Sequence, residues 1–162
     1  MQIGIRWAVA TILGLCLVSN AASAQEAPAY GAPISFEAAK KVMAAAETEA
    51  MENGWNVAIT VLDSGGHVVM KQRFDNTSYG SMRISEGKAR TALEFRRPTK
   101  AFQDMISEGG SNMRLLSVPD LLFLQGGVLI VEDGLIVGSI GVSGVTSAQD
   151  EQIALAGAAA VE

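Results

Sequence analysis

Residues 126–160, GGVLIVEDGLIVGSIGVSGVTSAQDEQIALAGAAA, leave this chain the fewest choices of fold. Two runs rich in β-branched residues meet at Asp133-Gly134, a dipeptide that tolerates the positive φ of a tight hairpin turn. The stretch therefore reads as strand, turn, strand, short loop and helix, with the hairpin in the middle of a sheet. Alternation along the second strand points Ile136, Ile140 and Val142 to one face and Ser139, Gly141 and Ser143 to the other. The first face is built for packing. The second admits something close, either a helix seated on the sheet or a ligand, because glycine in a strand marks close backbone approach. Ser147 reads as the N-cap of the final helix, with Asp150 in the capping-box position three residues on.

Upstream, Ser35 caps a helix whose apolar stripe is Phe36, Ala39, Met43, Ala46 and Ala50, and Asn53-Gly54 stops it. Residues 55–61 alternate as a strand with one strongly buried face, Asp63-Ser64-Gly65-Gly66 turns the chain, and residues 67–73 return as a second strand. Residues 81–95 read as a helix with Ile84, Lys88, Thr91 and Phe95 along one line. Pro98 ends that helix, Thr99 caps a short one over residues 100–108, and Gly109-Gly110 breaks it. A short strand is expected near residues 121–124. The order α-β-β-α-α-β-β-α fits an α+β fold whose antiparallel sheet is covered on both sides.

The first 24 residues stand apart. Arg6 gives a positive start, residues 7–18 an apolar run, and Ala22-Ser23-Ala24 a small-residue cleavage site, the pattern of a secretory signal peptide. The run is shorter than the roughly 20 residues of a membrane span, so no stable span is expected after processing and the protein is expected in the periplasm or the medium. Residues 25–33, with Pro28 and Pro33, read as a flexible leader, and residues 34–162 as one domain. Acidic residues number 17 against 12 basic ones, which argues against a nucleic-acid partner. Cys16 is the one cysteine and leaves with the signal peptide, excluding thiolate and disulfide chemistry in the remainder.

His67 is the single histidine and no cysteine remains after Cys16 to complete a zinc site with it, so none is expected. Lys88, Arg90, Arg96, Arg97 and Lys100 form a basic cluster suited to a carboxylate. Ile84 and Phe95 should draw Lys88 and Thr91 toward a pocket or subunit interface. On that reading Lys88→Met weakens ligand binding and leaves stability within about 1 kcal/mol, a lone buried cation being costly. No glycine series matches a dinucleotide or P-loop pattern. The segment from Ile153 to Val161 is apolar around its whole circumference, which predicts a homo-oligomer or, alternatively, a cover formed by the leader.

The hairpin and final helix, together with VAITVLDSGGHVVMKQRFD, GKARTALEFRRPT and FEAAKKVMAAAETEA, resemble the GlcG/HbpS-like, or haem-degrading domain, family across nearly all of the chain after residue 33. The resemblance implies a three-layer α/β/α fold of profilin-like type, assembly into homo-oligomers, and haem or a related tetrapyrrole as the small-molecule ligand. Set against such a ligand are Lys88, Thr91, Arg96, Arg97, Thr99 and His67. An axial ligand is open among Met70, Met82, Met105, Met113, His67, Tyr79 and a threonine. A haem-degrading or peroxide-linked activity follows from the family name alone, and the alternative is a non-enzymatic accessory or sensory protein acting through a partner surface.

Overall fold

The computed structural model describes residues 27–161. The expected signal peptide and the first residues of the leader lie outside them. Helix α1 (Phe36–Glu52) is followed by the hairpin β1 (Ala58–Asp63) and β2 (Val68–Arg73), then by helices α2 (Tyr79–Glu94) and α3 (Thr99–Glu108). A 3-10 segment (Gly110–Ser117) leads to the hairpin β3 (Gly127–Glu132) and β4 (Leu135–Ser143), and helix α4 (Ser147–Ala158) follows. The strands form one antiparallel sheet in the order β2-β1-β4-β3. Helix α2 covers one face and α1 with α4 the other, giving the three-layer α/β/α architecture expected from the sequence.

The second hairpin is placed asymmetrically: β4 is central, whereas β3 is an edge strand. Strand β1, read as having one buried face, is buried on both because α2 covers one side of it and α1 the other. Alternation in β4 also fails at one point. Ile130 pairs with Gly138 but Val131 with Ile136, so Val137 is an extra residue, a bulge that reverses facing beyond it. Ile136 consequently joins Leu62, Ala89 and Leu93 under α2, while Ile140 and Val142 pack on the α1/α4 side. Phe36, expected in the α1 stripe, is exposed, and Val42 takes its place beside Ala39, Met43, Ala46 and Ala50.

The face of Ser139 and Gly141 is filled by a helix. Ser139 Oγ donates to the Ala89 carbonyl at 2.8 Å, Thr60 Oγ1 and Ser85 Oγ share a hydrogen bond of 2.8 Å, and the missing side chain of Gly141 leaves room for the Ser85 carbonyl. No strand forms at residues 121–124; this segment instead crosses α2 and α3 as irregular chain. Part of the leader is likewise ordered: Gly31 N–H donates to Ile136, Ile136 N–H to Ala29, and Ile34 N–H to Val137, each at 2.8 Å. Residues 29–34 thus continue the sheet where β1 turns away from β4. They lie beside α2, through a Tyr30 hydroxyl bond to Leu93, and are not the cover for α4.

Candidate functional site

Helix α2 has two working faces. Inward, Lys88 and Thr91 are buried between the flanking Ile84 and Phe95, of which Phe95 remains 38% exposed. Lys88 Nζ reaches past the start of β3 to donate to Asp150 Oδ2 at 2.7 Å and to the Val142 carbonyl at 2.9 Å. Asp150 is buried too, and its other oxygen accepts from Val145 N–H at 3.2 Å. Gly126, at φ 118°, packs directly over the pair, where a Cβ would lie 3.0 Å from Lys88 Nζ. Burial pushes the Lys88 ammonium down and the Asp150 carboxyl up, and their mutual attraction opposes both shifts. Asp150 is therefore no capping residue. Thr146 caps α4 in a reciprocal box with Gln149, one position earlier than expected for Ser147.

The remaining sequence candidates are scattered. Thr99 is the first residue of α3 and does not cap it; its buried hydroxyl accepts from Gly127 N–H at 2.8 Å, and Pro98 holds the N-cap position. Arg96, in left-handed conformation at φ 49°, lies over the Tyr30 ring and donates to the Pro28 carbonyl. Arg97 lies over Phe102, and His67 is exposed in its turn beside Asp63. Met70 packs against the larger core and Met113 is exposed. None of the six residues set against a ligand lines either of the two concavities beside α2 and α3.

The outward face of α2 does. A groove of about 670 Å³ is bounded by Lys71 of β2, by Tyr79, Met82, Arg83, Glu86, Gly87 and Arg90 of α2, and by Asp120, Leu121 and Leu122. Glu86 sits between two of the cations, 2.7 Å from Lys71 Nζ and 3.5 Å from Arg90, and the Lys71 hydrogen bond holds its carboxyl below the usual range. Arg90 also approaches Glu94 at 3.9 Å. Arg83 has no carboxylate partner within ion-pair distance among the described residues, which leaves it the available positive charge of the groove. Arg73 lies over the exposed Tyr79 ring, 4.9 Å from its centre. A second, mostly apolar cleft of about 350 Å³ adjoins it beneath α3, and Leu121 and Leu122 wall both.

The sequence carried a signal for this groove in Gly87, a helix-interior glycine that costs roughly 1 kcal/mol against alanine and so needs a reason. That reason is contact: a Cβ there would lie 2.9 Å from Leu122 Cγ. Among the described residues there is no cluster of three or more potential metal ligands, and no helix is long and apolar enough to cross a membrane.

Comparison with known proteins agrees with this architecture. Residues 34–159 match the family described as haem degrading protein HbpS-like. Protein GlcG of Escherichia coli K12 is 42% identical over 110 residues, covering 68% of this chain and 81% of GlcG. The crystal structure of HbpS superposes with a TM-score of 0.74 at 32% identity, covering 82% of this chain and 92% of that one. A PduOC:heme complex shares the fold, with a TM-score of 0.73 at 23% identity over 80% of this chain and 96% of that one. By the family match over residues 34–159 and the identity to GlcG, the chain belongs to the GlcG/HbpS-like family.

Proposed function

We propose that this is an exported tetrapyrrole-binding protein, with haem as the ligand, and that the outward groove of α2 is where it binds. The observation that carries the reading is the groove's mixture of chemistry. It combines a cation without an ion-pair partner among the described residues (Arg83), oxygen and sulfur donors (Tyr79 and Met82) and an apolar wall (Leu121 and Leu122) in one concavity. Its volume of about 670 Å³ falls within the roughly 300–1,000 Å³ of small-molecule and cofactor sites. The family description names haem, and a protein of this fold has been solved with heme bound.

The residues present fit such a group. Arg83 would hold a propionate through its planar fork of donors. Lys71 and Arg90 are held by Glu86 and set the groove's rim, and Tyr79 and Met82, three residues apart on one helix face, would stand toward the iron. When bound, haem supplies redox chemistry that side chains lack. The haem-degrading or peroxide-linked activity in the family's name is part of this proposal, and so is export, carried by the signal-peptide pattern of the first 24 residues.

Haemin titrated into the processed protein should give a saturable Soret shift at one equivalent. Arg83→Glu should weaken that binding by about ten-fold or more, the loss expected for a charge-assisted hydrogen bond turned to repulsion. A spectrum of unbound haemin at every ratio would overturn the reading.

Self-association belongs to the same proposal. Ile153, Ala154, Gly157 and Ala158 of α4 are buried within the fold, so the helix is less bare than its sequence suggests, yet Leu155 remains 52% exposed. Light scattering should show an oligomer that Leu155→Lys reduces toward monomer; a wild-type monomer would refute this element.

A further inference from the structure

We infer that residues 110–122 form a flap over the proposed ligand groove and that Thr91 is its latch. The inference rests on the groove being the ligand site and adds how that site opens.

The segment is attached weakly for its length. It contains no buried residue from Gly110 to Leu122, and its 3-10 portion lies on the surface. Its hydrogen bonds are local, within itself or to the adjoining end of α3 at Glu108 and Gly109, with one exception among the described residues. Leu122 N–H donates to Thr91 Oγ1 at 2.8 Å. Few buried contacts and few backbone bonds to the body are what mark a segment that opens below the global unfolding free energy.

Both ends are suited to motion of the part between. Gly109 and Gly110 have φ of 72° and 59°, a pair of residues free to absorb backbone rotation. Immediately after Leu122, Phe123 is buried against Phe102, with ring centres 5.2 Å apart, and Gln125 N–H donates to Gln103 Oε1 at 3.0 Å. The chain is thus hinged at one end and anchored at the other.

The flap also sits where opening matters. Asp120, Leu121 and Leu122 wall the groove, and Leu116, Leu121 and Leu122 wall the apolar cleft beneath α3, so the segment is the partition between the two. Lifting Leu121 and Leu122 from Gly87 would join the cationic groove to the apolar cleft. A flat amphiphile, with carboxylates at one edge and an apolar body, needs that combination of surfaces.

Thr91 explains itself in this arrangement. It is fully buried on α2, and its hydroxyl donates to the Gly87 carbonyl at 2.8 Å, which fixes its lone pairs toward Leu122. Helix and flap meet face to face only because Gly87 has no side chain.

A reversible staple tests the flap. A Cβ at position 87 would lie 3.5 Å from Leu122 Cβ, within the roughly 3.5–4.5 Å that a disulfide bridges. The processed protein, free of Cys16, with Gly87→Cys and Leu122→Cys serves as its own control, because both positions line the groove and its reduced and oxidised forms differ only in the staple. When oxidised it should take up haemin about ten-fold or more slowly than when reduced, and reduction should restore the faster rate. Thr91→Val, which removes the latch and keeps the shape, should raise haemin association about five-fold, the population change expected for one hydrogen bond. It should also speed exchange of the Leu122 amide without ligand present. Equal haemin kinetics in the oxidised and reduced staple, or a Leu122 amide in Thr91→Val as protected as those of β1, would overturn the flap while wild-type haemin binding stands. A wild-type protein that gives no Soret shift would instead remove the ligand reading, and the gating role with it.

Discussion

Replacing Lys88 by methionine should destabilise the protein by about 3–5 kcal/mol, the cost of leaving its buried partner carboxylate without a counter-charge. This reverses the expectation from sequence, in which Lys88 stood alone and its loss was nearly neutral. The difference is Asp150, 2.7 Å away on α4 and equally buried. Asp150→Leu alone should be comparably damaging, since it strands the ammonium. The double replacement should recover most of the loss or exceed wild type, because two desolvated charges give way to apolar groups. Chemical denaturation of the four proteins measures the cycle.

The pH dependence of the Lys88→Met variant has a definite sign. Burial raises the Asp150 carboxyl above its unfolded value, and without Lys88 the attraction that opposed this is gone. A group whose folded pKa is raised stabilises the folded state below its unfolded pKa and loses that contribution as pH rises through the folded value. The variant's deficit should therefore be smallest in acid, where the carboxyl is neutral, and grow toward neutral pH. A deficit independent of pH would mean that Asp150 finds another partner or reaches water.

The second large effect belongs to Gly141. An added methyl would strike the Ser85 carbonyl and come within 2.6 Å of Ala89 N, both backbone atoms of α2 that cannot swing aside. Gly141→Ala should cost about 2–3 kcal/mol through overpacking. Gly80, in the first turn of the same helix, has open space where a methyl would stand, with no atom within 4 Å and no positive φ. There alanine should be neutral or stabilising by about 0.5–1 kcal/mol. A Gly141→Ala protein as stable as Gly80→Ala would mean that α2 is not seated on the backbone of β4.

Local patterns made the fold largely legible. Asp133-Gly134 at φ 51° and 77°, Ser35 accepting from Ala38 N–H, and Gly54 at φ 68° each perform locally the task their residue type suggests. Failures came where a distant partner decides. The Val137 bulge reverses the facing of Ile136 without changing the hydrophobic pattern, so alternation alone assigns it to the wrong face. Asp150 and Lys88 are 62 residues apart, and each has an ordinary local use, one as a capping acid and the other as part of a basic cluster.

The groove illustrates the same limit. The stripe Ile84, Lys88, Thr91 and Phe95 drew attention because charge among apolar residues is unusual, and it proved to be mainly the inner face of α2. Tyr79, Met82, Arg83, Glu86 and Arg90 follow the same helical spacing on the opposite face and look like a solvated surface until residues 120–122 cross over Gly87. Arg96 reads from sequence as a ligand-binding cation, and its contact with Tyr30 and Pro28 is set by the course of residues 28–31, which no local pattern around Arg96 reveals.

The location of the ligand is the central claim, and paramagnetic broadening of amide resonances by haemin addresses it directly. With ferric haemin at one equivalent, the amides of residues 79–90, Lys71 and residues 120–122 should broaden most, those of α1 and α4 least. Broadening centred on α1 and α4, or spread evenly over the surface, would contradict the account.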